Sequence, residues 1–246
     1  MEINKNFYKI FGNTPIIGMI HLSGNKPVER ALEEIAMFEE EGIDGALVEN
    51  YHCHDLLIVE KTLEEISKRN NKIAIGLNLL SYDDRVFPMA AKYGAKFIQM
   101  DRIAGIYTSG KLDIESYSKY KEKFPELVVL GGVWPKYYHP VKGSDLAADL
   151  EEGMNRAEAI VVTGEGTGKE TPISKIKYFR EKIDGHVLIV GAGLTPDNAY
   201  EQLMVADGAI VGSSIKPDSI THNKVDSIRI KSLMEQVKKA RAYKEN

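Results

Sequence analysis

The residues with the clearest chemistry fall where apolar runs stop. His21 ends one such run, and Glu49 with Asn50 ends the next. Asn78, Asp101 and Lys136 stand at or just past the ends of three more. Thr163-Gly164 follows a sixth, Gly191-Ala192-Gly193 a seventh and Gly212-Ser213 an eighth. A carboxylate such as Glu49 or Asp101, partly desolvated at a cavity mouth, can have its pKa raised into the range useful for proton transfer. A neutral imidazole such as His21 can assist it. Asn50, Asn78, Thr163 and Gly164 suit substrate binding, and Lys136 suits stabilisation of developing negative charge. Gly191, Gly193, Gly212 and Ser213 follow strands with small residues and leave backbone N–H groups uncovered, which can cradle a phosphate. Each feature also has a plainer account. Strand ends meeting solvent turn polar, Glu49 can be a salt-bridge partner, and glycines let strand and helix pack closely.

Other features are less specific. His52 and His54 form a His-x-His pair near Glu49 and Asp55, as a divalent ion could use, but a solvated polar loop is the simpler reading. No metal site or cofactor is assigned. The loop from Gly164 to Lys169 resembles a nucleotide-binding loop but has Glu170 where Ser or Thr is required, so it reads as a glycine-rich lid. Trp134, Tyr137 and Tyr138 could stack on a ligand ring or cap the fold. His139 completes the polar loop after Lys136.

These positions need elements to hold them. Apolar, strand-like runs span Pro15–Leu22, Gly45–Asn50, Lys72–Leu80, Phe97–Met100, Leu127–Val133, Ala159–Thr163, Val187–Val190 and Ala209–Val211. Helical patterns alternate with them: Pro27–Glu41, Leu56–Lys68, Asp83 to about Tyr93, Asp113–Phe124, Ser144–Met154, Ile173–Lys182 and Asn198–Val205. Thr195-Pro196-Asp197 reads as the start of the last of these. Val225–Tyr243 is a C-terminal amphipathic helix, and Ile103–Leu112 a long loop. Continuous apolar strands alternating with helices predict a parallel sheet, and eight repeats predict a single (β/α)8 TIM barrel over residues 1–246. An open doubly wound sheet is the competitor. In a barrel, the active site lies at the C-terminal strand ends, with a phosphate site frequent after strands seven and eight.

The length of 246 residues fits one such barrel. Hydrophobic content of 43% and charged content of 28% are ordinary for a globular protein. A net charge of −4 gives no basic footprint, so nucleic acid is not expected as a partner. A single cysteine, Cys53, rules out an internal disulfide and fits a cytoplasmic setting. No apolar run approaches the ~18 residues of a membrane span, and residues 1–12 lack a signal-peptide core.

The segments PIIGMIHL at 15–22, VEN at 48–50, IGLNLL at 75–80, TGEGTG at 163–168 and ADGAIVGSSIK at 206–216 resemble the BtpA/SgcQ family. The resemblance runs from Pro15 to about Met234. It implies a β/α barrel of the phosphate-binding sort and supplies no established reaction. One member is linked to photosystem I biogenesis, and another lies among sugar-metabolism genes. This chain departs from the family pattern in three places. Ser23-Gly24-Asn25-Lys26-Pro27 replaces a proline-rich turn, Asp101 stands where asparagine is common, and the fifth strand keeps Lys136 but lacks the family's acid and histidine. His139 lies two residues from that histidine's place.

The leading expectation is an enzyme acting on a small phosphorylated metabolite, a sugar phosphate or nucleotide-derived compound. Glu49 is its acid/base, helped by His21 or Asp101. Isomerisation, aldol-type cleavage and glycosyl-bond chemistry stay open. The alternatives are a non-catalytic assembly factor and a metal-dependent hydrolase. A homo-oligomer is compatible with the C-terminal helix.

Overall fold

Eight short apolar segments meet edge to edge in chain order: β1 (Ile16–His21), β2 (Gly45–Glu49), β3 (Ala74–Asn78), β4 (Phe97–Met100), β5 (Val128–Gly132), β6 (Ala159–Val162), β7 (Val187–Val190) and β8 (Gly208–Val211). In the computed structural model, which describes residues 5–245, β8 pairs back onto β1. All the barrel pairings are parallel, so the sheet closes as a TIM barrel and the open-sheet alternative is excluded. Register carries the chemistry. His21 lies opposite Glu49, Glu49 opposite Asn78, and Asn78 opposite Gln99. Four polar residues thus form one layer at the C-terminal rim.

Alternation sorts the rest. Ile17, Met19, Leu47, Phe97, Leu130, Val161, Ile189 and Ile210 fill the barrel interior. Ile16, Ile20, Val48, Ile98, Val129 and Ile160 belong to the larger core shared with the surrounding helices. Interior volume is balanced by pairing small with large. A Cβ on Gly76 would lie 2.4 Å from the Phe97 ring, so the glycine makes room for it.

The helices are α1 (Lys5–Phe11), α2 (Pro27–Glu41), α3 (Leu56–Ser67), α4 (Asp83–Lys92), α5 (Ile114–Lys123), α6 (Leu146–Met154), α7 (Ile173–Ile183), α8 (Ala199–Val205) and α9 (Ser227–Lys244). Asp55, Asp113, Asp145 and Asp226 cap α3, α5, α6 and α9, each accepting a backbone N–H of the first turn. On α9, Ile230, Leu233, Met234, Val237 and Ala240 form the buried stripe.

Three local features differ from the sequence expectation. No element was expected over residues 1–12, yet α1 plugs the N-terminal end of the barrel. Phe7 and Phe11 are buried there, with the Phe11 and Phe97 rings 5.0 Å apart. The expected loop Ile103–Leu112 contains an antiparallel hairpin, Ile106–Tyr107 against Gly110–Lys111. Tyr107 anchors it: its hydroxyl donates to Ala104 O and accepts from Trp134 N. Finally, Thr195 does not cap α8. It precedes a turn in which Thr195 N donates to Asn198 Oδ1, and the helix starts at Ala199.

Candidate functional site

At the rim, Asn78 Nδ2 donates to Glu49 Oε1 at 3.1 Å and approaches Asp101 Oδ1 at 3.3 Å. One amide therefore serves two carboxyls. His21 Nε2 lies 3.4 Å from Glu49 Oε2, and His21 Nδ1 lies 2.9 Å from Lys216 Nζ. Burial pushes the Glu49 carboxyl up to about 7, and the negative charge of Asp101 adds to this. Lys136, Lys216 and the Asn78 hydrogen bond pull the other way. Burial also raises Asp101 above the ordinary carboxylate range. It holds His21 well below the usual imidazole value, with the Lys216 charge next in effect, so the ring is neutral near pH 7. Lys216 is fully buried, which brings its ammonium down to about 8. A carboxyl that titrates near neutrality can both take and return a proton.

Strands β7 and β8 build a different surface. Past Val211, Gly212 leads into a single 3-10 turn, Ser213–Ile215, whose first N–H groups have no partner within the turn. Gly191, Gly193, Gly212, Ser213 and Ser214 line a cavity of about 510 Å³. The Ser214 hydroxyl is buried there without a hydrogen-bond partner. The glycines have steric reasons of their own. A Cβ on Gly191 would sit 2.4 Å from Val161, and one on Gly193 2.2 Å from Lys169 O. On Gly212 it would sit 3.0 Å from His21 Cε1, in the space between cradle and imidazole. A second cavity of about 650 Å³ holds Glu49, Asp101, Gln99 and Tyr51. Both are lined by Met19, His21, Lys136, Thr167 and Gly191, so they are two ends of one groove.

The remaining expected residues divide. Thr163 lines the carboxylate end, where its hydroxyl accepts from Lys136 N at 2.7 Å and so fixes the lysine's backbone. Asn50 is fully buried outside the groove, its amide spent on Leu80 N and O. Gly164 also lies outside it, at a close approach: a Cβ would be 2.5 Å from Glu170 O. His52 stacks on His222 with ring centroids 3.6 Å apart, and its Nε2 lies 2.9 Å from Thr221 Oγ1. His54 and His139 are exposed. Among the described residues, no three His, Cys, Asp or Glu side chains are grouped to hold a metal.

Of the aromatic trio, only Tyr137 lines the groove. Its hydroxyl accepts from Thr167 N at 2.8 Å and donates to Thr167 Oγ1 at 3.2 Å, pinning the glycine-rich loop over the mouth. Trp134 points instead to Asp149, donating from Nε1 at 2.8 Å. Tyr138 packs between Tyr107 and Arg102.

Two important residues escaped the sequence reading. Gln99 sits two residues before Asp101 on the same inward face, a parity that strand alternation could have supplied, and its Oε1 is buried without a partner. Lys216, in Ser214-Ile215-Lys216-Pro217, signals itself only as a lysine in an otherwise small and apolar stretch.

The chain resembles proteins in sequence over nearly its whole length. An uncharacterized protein of Methanocaldococcus jannaschii is 29% identical over 260 residues, covering 92% of this chain and 95% of the relative. The photosystem I biogenesis protein BtpA of Synechocystis sp. is 24% identical, covering 91% and 88%. Among solved structures, the (S)-3-O-geranylgeranylglyceryl phosphate synthase of Thermoplasma acidophilum, in complex with its substrate sn-glycerol-1-phosphate, superposes with a TM-score of 0.66. That match has 13% identity and covers 96% of this chain and 98% of the other, so it speaks to the fold. The BtpA family model matches residues 13–239. With that match spanning the whole barrel, the chain belongs to the BtpA family.

Proposed function

We propose that this protein is an enzyme acting on a small phosphorylated metabolite at the C-terminal face of the barrel. The observation that carries the reading is one groove with two chemically distinct ends. At one end lie the uncovered turns after β7 and β8, and at the other a buried carboxyl near pH 7 beside a second carboxyl. Gly193, Gly212 and Ser213 hold the phosphate by backbone N–H groups; Gly191, expected from the sequence to join them, spends its N–H on Val162 O at 2.8 Å and only lines the groove. Glu49 moves the proton, and Asp101 tunes it. Lys136, which lines both ends, neutralises negative charge that develops between them. Asn78 orients both carboxyls. The phosphorylated substrate held by a similar barrel, the synthase above, supports a phosphorylated ligand here. No helix of the described residues is long and apolar enough to cross a membrane. The proposed enzyme is placed in the cytoplasm, where a chain with a single cysteine needs no disulfide.

A thermal-melt screen tests this directly. Inorganic phosphate, sugar phosphates and nucleotides are added to the wild type and to Gly212→Asp, which places a carboxylate in the cradle. A ligand at 100 times its dissociation constant adds about 2.7 kcal/mol. The expected result is a higher melting temperature in the wild type that the aspartate abolishes. An equal rise in both proteins overturns the cradle. No rise with any compound overturns the reading and favours an assembly role, like that in the Synechocystis relative's name.

A further inference from the structure

We propose that Lys216 is a positioning residue that fixes His21 as the Nε2–H tautomer, so that the imidazole offers Glu49 a donor and not a lone pair. Lys216 Nζ lies 2.9 Å from His21 Nδ1 and donates to Thr221 O, also at 2.9 Å. An ammonium has N–H donors and no acceptor. Nδ1 must therefore accept, and the proton of the neutral ring resides on Nε2, which faces Glu49 Oε2. The other tautomer would set Nδ1–H against the ammonium and a lone pair against the carboxylate, two repulsions in a buried site. With Nε2–H in place, an imidazole N–H stands 3.4 Å from one Glu49 oxygen while the Asn78 amide donates to the other. Both favour the ionised, proton-accepting form against the burial that opposes it.

The lysine is well anchored for this work. Its own backbone N–H donates to Ser213 O at 3.0 Å, closing the turn that forms part of the phosphate cradle. The side chain then runs inward to the imidazole. One turn of chain thereby connects the two ends of the groove. The other charged or titratable groups acting on Lys216 and His21 are Arg30 and Glu34 of α2, His52 after β2, and Lys136 after β5. Lys216 is not a nucleophile here. Its side chain is sealed from solvent, and it does not line the groove.

The catalytic meaning of this lock rests on Glu49 as the proton carrier, but the tautomer can be read with no substrate present. Protein with 15N-labelled histidine gives ring 1H–15N correlations that distinguish the tautomers, and His21→Gln identifies the His21 signals. At pH 6.5 the wild type should show His21 as the neutral Nε2–H tautomer. Lys216→Met, with circular dichroism to verify its fold, should show an average of the two tautomers at the same pH. A purely structural lysine would leave the His21 pattern of that variant unchanged, which overturns the proposal. So does an Nδ1–H tautomer in the wild type, a measurement that needs no variant to fold. Neither result bears on whether phosphate binds, so failure here is distinct from failure of the proposed function.

Discussion

Glu49 is held between opposing effects, of which burial is the largest. Burial and Asp101 drive its pKa up, while Lys136, Lys216 and Asn78 drive it down. Asp101 is the component most easily removed, because Asn keeps the shape and deletes the charge. In Asp101→Asn the like charge beside Glu49 is gone, so the carboxylate is favoured and its pKa falls below about 7. The measurement is a 13C titration of the Glu49 carboxyl in both proteins, which needs no substrate. An unmoved midpoint would mean that burial alone sets the value. The pairing also explains how two acids can share this site. Asn78 satisfies both acids with a single amide group, and the second acid tunes the first.

At the scale of the elements, the N-terminal helix α1 makes the sharpest prediction. Phe7 is fully buried, with Phe11 at 5.0 Å and Tyr8 at 5.5 Å between ring centroids. Phe7→Ala should cost about 3–5 kcal/mol, as for other buried aromatics, seen as a lower urea midpoint. Any phosphate-induced melting shift should persist, because the plug and the groove occupy opposite ends of the barrel. What the sequence reveals and conceals follows from the same geometry. Strands were legible because each is a continuous apolar run, and the rim residues because they interrupt those runs. Glu49 as acid/base and Asn50 as substrate ligand were both expected in the site, yet alternation sends neighbours to opposite faces, so Glu49 enters the groove and Asn50 ties the backbone at Leu80. The helix α1 was illegible because it has fewer than two turns, and its apolar residues make sense only against the barrel floor. Lys216 was illegible because its contact with His21 spans 195 residues and depends on barrel closure.

Over the whole molecule, buried titratable groups pull stability in opposite directions as pH changes. His21, His52 and His186 are held below their ordinary value, chiefly by burial, with His52 at about 4. Their contribution is present above pH 6.5 and is lost as pH falls toward the folded values. Glu49, Asp101, Asp83 and Asp44 are raised, again chiefly by burial. Their contribution is present at low pH and is lost as pH rises through the folded values, about 7 for Glu49. Between pH 5 and 7 the two sets act in opposite directions, and Glu49 is a piece that one substitution can remove. Raising a carboxyl from 4.5 to about 7 corresponds to roughly 3 kcal/mol of destabilisation once it is ionised. The stability of Glu49→Gln relative to the wild type should therefore rise from pH 5 to pH 8. At pH 8 the variant should be more stable, by up to ~3 kcal/mol less the donor–donor conflict its amide introduces. Urea unfolding of both proteins at pH 5, 6, 7 and 8 checks this. A difference that does not change with pH would show that Glu49 ionises normally, and its role as proton carrier would fall with it. A difference that grows with pH would mean that stability is given up at this position to keep a carboxyl near neutrality, as expected where a site is selected for chemistry.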